Sequence, residues 1–119
     1  MSPLSRSVAE VSEDHLRLRL SQDLETDLQR NYAPDVILLT VYSVLHGHDG
    51  LRRSSGRLQL QLPGARFEFS AKQVDGEFAF LVWRADSKRY RVECGADSFL
   101  IRDGLIRMQT IHYHLLPKS

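Results

Sequence analysis

At 119 residues, with 42% apolar and 26% charged residues and a formal net charge of +1, the chain has the composition of one ordinary soluble domain. The charge balance excludes a broad nucleic-acid footprint. A single cysteine, Cys94, excludes an internal disulfide and a cysteine-rich zinc site, and no apolar run reaches the ~20 residues that span a bilayer. No basic segment followed by an apolar one opens the chain, so a cytoplasmic location is expected.

Residues 1–6 read as frayed. Ser7 with Glu10 has the spacing of a capping box, and Ser12 before Glu13 and Asp14 is an alternative helix start. Leu16, Leu20, Leu24 and Leu28 recur every four residues, a stripe that drifts around a straight 3.6-residue helix unless a break resets it. Ser21-Gln22-Asp23 supplies that break, with Ser21 as the expected cap of the second helix. Helices are predicted near 7–20 and 22–32, the second closed by Pro34.

Val36 to Leu45, rich in β-branched residues, reads as one strand covered on both faces. Asp49 is the expected cap of a short helix carrying Leu51, Leu58 and Leu62, ended by Pro63-Gly64. On it Arg52, Arg53 and Arg57 read as a solvated face. The period then changes to two. Phe67, Phe69 and Ala71 alternate with Arg66, Glu68, Ser70 and Lys72. Asp75-Gly76, Asp86-Ser87-Lys88 and Asp103-Gly104 divide this half into four hairpin-linked strands, the last running from Leu105 to Leu115. Gly95 interrupts the alternation of Tyr90, Val92 and Cys94 and predicts a bulge. Helices ahead of such strands indicate an α+β fold, a cone-shaped curved antiparallel sheet wrapped on N-terminal helices.

An ordered set of short motifs carries a resemblance: Asp23-Leu24-Glu25, Asn31-Tyr32-Ala33-Pro34-Asp35, Gly47-His48-Asp49-Gly50-Leu51-Arg52, Gly95-Ala96-Asp97-Ser98-Phe99, Arg102-Asp103-Gly104-Leu105-Ile106 and Gln109-Thr110-Ile111-His112-Tyr113. From about residue 8 to 116 the chain resembles the SnoaL-like branch of the nuclear transport factor two-like superfamily, with its ketosteroid isomerases and polyketide cyclases. The resemblance implies a single SnoaL-like domain over 1–119, a cystatin-like, ketosteroid isomerase-like cone with an apolar pocket, no cofactor, and a homodimer through the outer sheet face. It places Asp97 at the isomerases' protonated oxyanion-hole aspartic acid, a carboxyl kept neutral by its apolar site. Thr40 takes the place of the general base, and His15 or Leu16 that of the oxyanion tyrosine. Two of three isomerase roles are thus changed.

Asp97 is the first candidate for chemistry, since an acid among apolar strand residues such as Phe99 is expected to be desolvated and to titrate high. The alternatives are an ion pair, with Arg84 or Arg91 for example, or a cap on the bulge. His112 is a candidate proton partner from the adjacent strand. The His46/His48 and His112/His114 pairs lack a third ligand, so no metal site is expected. Thr40, Tyr42, Trp83, Phe99 and His15 are the candidate ligand contacts; Tyr90 and Tyr113 read as core. Which face Trp83 takes is open. Cys94 reads as a small buried hydrophobe. Three functions follow: a cofactor-independent isomerase or cyclase using Asp97 as acid/base, a non-catalytic binder of an apolar small molecule, or a protein-interaction scaffold.

Overall fold

The computed structural model describes residues 6–118. Most of the residues expected to fray thus lie outside the described residues. Arg6 is held, donating to Asn31 Oδ1 at 2.8 Å and to the Gly104 carbonyl at 3.2 Å.

Helix α1 spans Val8–Leu20 and opens with the predicted box: Ser7 accepts from the Glu10 amide while Glu10 accepts from the Ser7 amide. The break falls where expected, with Gln22 at φ 60°. Its chemistry differs, for Ser21 ends α1 and Asp23 caps α2, Leu24–Asn31, by accepting from the Thr26 amide. Of the leucine stripe, Leu16 and Leu28 are buried and Leu20 is exposed.

The expected strand 36–45 is two strands. β1 covers Tyr32–Thr40 and β2 covers Val44–His46, antiparallel to it. No glycine or proline makes the turn between them. Thr40 makes it, its Oγ1 accepting from the amides of Tyr42 and Ser43 at 3.1 and 3.0 Å. Nor is this segment covered on both faces: Val36 and Leu38 are fully buried, whereas Ile37 and Leu39 are exposed. Pro34 lies where the pairing of β1 slips, between Tyr32 and Ile37.

Helix α3 spans Gly47–Gln61 and packs on β1 and β2. Asp49 does not cap it; it sits in the first turn and accepts from Arg52. Arg52 also grips Glu25 of α2 through two nitrogens at 2.9 and 2.8 Å, the main polar tie between α3 and the other helices.

β3 (Arg66–Asp75), β4 (Phe78–Asp86), β5 (Tyr90–Arg102) and β6 (Leu105–His112) follow as antiparallel hairpins. The last stretch stops at His112, and Leu116–Pro117 form β7 against the start of β5. The order is β2-β1-β6-β5-β4-β3, and one pair, β1 with β6, is parallel, so the sheet is mixed. It remains an open α+β sheet curled over N-terminal helices. Its inner face contributes Leu38, Leu81, Trp83, Phe99 and Ile101 to the core against Val11, Leu16 and Leu28 of the helices. Among the described residues no helix is long and apolar enough to cross a membrane.

The predicted bulge is present. Trp83 pairs with Gly95, but Ala85 pairs with Val92, so Glu93 and Cys94 together face Arg84. That extra residue turns Cys94 outward, exposed and not buried as its sequence context suggests. Gly95 is required for a different reason: a Cβ there would sit 2.4 Å from Trp83 Cε2. Gly95→Ala is therefore expected to cost about 1–3 kcal/mol, read as a lower urea midpoint, because the indole has to leave its rotamer. An unchanged midpoint would mean that Trp83 has room to move.

Candidate functional site

The inner sheet face, both N-terminal helices and α3 enclose one cavity of about 470 Å³. That is the size of a small-molecule site. Leu18 and Leu24 from the first two helices, Leu51, Leu58 and Leu62 at and beyond α3, and Phe67 and Ile111 from the sheet make its apolar wall. His15 and Arg19 of α1, Asp27 of α2, Tyr32 of β1 and Gln109 of β6 supply polar groups to the lining, and Ser54, Ser55 and Gln59 of α3 supply others.

Two hydrogen-bonded sets stand there. In the first, His15 Nδ1 lies 2.7 Å from Asp27 Oδ2, both side chains buried. Asp27 Oδ1 in turn accepts from Asn31 Nδ2 at 2.8 Å. Asn31 continues to Asp14, whose carboxylate meets Arg17 and Arg30 at the surface. The spacing that builds this is simple: Asp27 and Asn31 are four apart on α2, hence on one face. The ring of His15 is wedged edge-on between Tyr32 and Phe99, with centroids 5.7 and 5.2 Å away. A carboxylate at Nδ1 selects the Nδ1–H tautomer and leaves Nε2 as the basic nitrogen. Nε2 is buried and has no partner.

The second set is centred on Asp97, which is 1% exposed. Its Oδ1 accepts from Trp83 Nε1 at 3.0 Å and its Oδ2 from Gln109 Nε2 at 3.1 Å. The Asp97 carboxylate only accepts, which turns the Gln109 NH₂ toward it, and the hydroxyl of Tyr32 donates to the other end of that amide. Burial first, then the Asp27 and Asp97 charges, holds the Tyr32 phenol well above its ordinary titration range, so it stays a donor. Arg19 Nη1 lies 3.7 Å from Asp97 Oδ2. Its guanidinium is stacked near Phe67 and Trp83, 5.3 and 5.6 Å from their ring centroids.

Asp97 is thus one bond behind the cavity wall, on the far side of Gln109 and Arg19, and its immediate neighbours are donors in place of the expected apolar site. Its arginine is Arg19, not Arg84 or Arg91, both exposed on the strands. Trp83 faces inward and Phe99 supports His15, so four of the sequence candidates (Asp97, His15, Trp83 and Phe99) meet here. Three do not. His112 pairs with Ala96 and is exposed, while the residue opposite Asp97 is Ile111; strand alternation sends His112 to the other face and removes it as a proton partner. Thr40 spends its hydroxyl on the β1–β2 turn. Tyr42 is exposed on that turn, under Arg57, with its ring edge to Tyr113. Arg57 is accordingly not purely solvated. Sequence reasoning misses Arg19, Asp27, Asn31, Tyr32 and Gln109. The available signal is polar residues at core-facing positions of α1 and α2, since Val11, His15 and Leu18 share one buried face.

Among the described residues, no three of His, Cys, Asp and Glu come together as a metal-ligand group. His48 Nε2 is directed to the Tyr32 carbonyl at 3.1 Å, and His46, His112 and His114 are exposed.

No family model matches the sequence, and no curated protein does. Solved structures do match in shape. A nuclear transport factor 2-like protein of unknown function from Mesorhizobium loti superposes with a TM-score of 0.75 at 18% identity, covering 96% of either chain. A second Mesorhizobium loti protein, assigned as a SnoaL-like polyketide cyclase, gives 0.68 at 19% identity over 91% of this chain and 100% of that one. A Kribbella flavida protein assigned as a ketosteroid isomerase gives 0.73 at 15% identity, covering 94% and 81%. With the element order and the curled sheet described above, these likenesses give the chain the SnoaL-like, nuclear transport factor 2-like fold.

Proposed function

We propose that the chain binds an apolar, oxygen-bearing small molecule in this cavity and moves a proton on it through His15, without a cofactor. The observation that carries the reading is that two residues lining one cavity hold buried polar atoms without partners: His15 Nε2, Arg19 Nε and Arg19 Nη2. Buried polar groups are normally satisfied, and orphans concentrate where a ligand completes them. His15 would take a proton from carbon next to a carbonyl, the C–H electron pair becoming the enolate double bond. Asp27 would stabilise the imidazolium so formed, and the Arg19 charge would favour negative oxygen nearby. In a β,γ-unsaturated ketone the enolate is a dienolate, and return of the proton to its γ-carbon would move the double bond into conjugation and complete an isomerisation. Asp97 would serve this site by positioning Arg19 and Gln109 and not by exchanging a proton itself.

The test is deuterium exchange from heavy water into apolar ketones and oxo acids, tetralone and phenylpyruvate among them, followed by NMR. Exchange above the buffer rate, suppressed by Leu58→Trp, which fills the cavity, is expected. Exchange at the buffer rate across the panel would leave the cavity without this chemistry.

A homodimer through the outer sheet face is proposed as well. Ile37, Met108, Leu100 and Phe78 run across that face in register over four strands, and in the next row Leu39 and Phe80 flank Thr110 and Ser98. Phe78, Ile37, Leu39 and Phe80 are all exposed. An apolar row of this kind is normally covered. Sedimentation equilibrium at micromolar concentration is expected to give twice the 13.7 kDa chain mass, and Phe80→Arg to give the monomer. A wild-type monomer would refute the dimer.

A further inference from the structure

We infer that the ligand is an apolar monocarboxylic acid, its carboxylate gripped by Arg19. The inference rests on the cavity reading above and names the ligand class. It starts from an imbalance of donors and acceptors. Arg19 Nε and Nη2 are the two donors of one edge of the guanidinium, and both are buried without an acceptor. The nearby carboxylates do not relieve them. Asp97 accepts from Trp83 and Gln109 on its two oxygens, and Asp27 from Asn31 and toward His15 on its two. Asp23, also on the cavity, caps α2. The unmet groups at this wall are therefore donors, together with the one basic nitrogen of His15.

The missing partner is an acceptor with two oxygens in one plane. A carboxylate fits that edge of an arginine through two parallel N–H···O bonds. The aromatic faces of Phe67 and Trp83 beside the guanidinium, and Asp97 at Nη1, hold it in place before the ligand arrives, which lowers the cost of binding. A phosphate would also fit the fork. But a dianion would bring a second negative charge close to Asp97 and Asp27 with only one arginine to offset it. Leu18, Leu58, Leu62 and Ile111 offer an apolar surface for the ligand's body, beside Ser54, Ser55 and Gln59 of α3.

The experiment is calorimetric titration of the wild-type chain with octanoate, decanoate and phenylacetate, each against its primary amide, and with octyl phosphate. The acids are expected to bind at least about tenfold more tightly than their amides. Octyl phosphate is expected to bind no better than octanoate, and Arg19→Gln to erase the difference between acid and amide. Because the acid–amide comparison is made on the wild type, the result does not depend on the variant folding. Equal binding of acids and amides, or preference for the phosphate, overturns the carboxylate assignment while the cavity reading stands. Binding of neither series overturns both.

Discussion

Replacement of His15 by glutamine is expected to slow the protein-dependent deuterium exchange by about 10²–10⁴-fold, the usual contribution of a positioned general base. Glutamine can reach Asp27 with its amide and keep the α1–α2 contact, but it has no basic nitrogen to replace Nε2. Asp27→Asn probes the same step from the other side. An asparagine amide donating to Nδ1 would turn the ring to its opposite tautomer, placing a hydrogen on Nε2 and removing the base without moving the imidazole. Both variants are expected to keep the wild-type circular dichroism. Exchange within about twofold of wild type in His15→Gln would show that the proton is carried elsewhere, and the Asp27–Asn31 chain would then be only a helix–helix fastening.

Asp97→Ala is expected to destabilise the fold by about 3–5 kcal/mol, the range for removing one member of a buried ion pair. The loss leaves the Trp83 indole N–H and one Gln109 N–H without their acceptor in the core, and Arg19 without its neighbouring countercharge. Asp97→Asn should cost markedly less. Its oxygen can still accept from Trp83, and the Gln109 amide can turn over to accept from its NH₂, because the Tyr32 hydroxyl can accept as well as donate. Urea unfolding monitored by Trp83 fluorescence measures all three proteins. An alanine variant within about 1 kcal/mol of wild type would show that these donors find water, and that Asp97 is not the keystone of this wall.

The sequence carries the order of elements well, because the signals that set it are local. The Ser7–Glu10 box, the Asp75-Gly76 and Asp103-Gly104 turns and the alternation from Phe67 onward each depend on a few adjacent residues. Where the reading fails, a distant or side-chain-made contact decides. The turn after Thr40 has no glycine or proline to announce it, so two strands read as one. Asp97 stands out as an acid in an apolar strand, but its partner Arg19 lies 78 positions away on a helix, and no local pattern links them. Adjacency of the last two long strands suggests His112 as a partner for Asp97; one step of register sends it to the opposite face. The His15–Asp27 pair joins two helices across a break, and only the packing of α1 on α2 brings the two groups together.

The seating of α3 has a consequence for traffic in and out of the cavity. This helix rests on the edge strand β2 and its neighbour β1 and reaches α2 through the exposed Arg52–Glu25 clasp. A solvent-exposed pair of that kind contributes little to stability and weakens as salt rises. Salt is therefore expected to loosen the α3 side of the cavity, and ligand entry and escape to quicken as ionic strength rises. Because His48 in the first turn of α3 is directed to the Tyr32 carbonyl, such loosening would also be felt at the polar wall that holds His15 and Gln109.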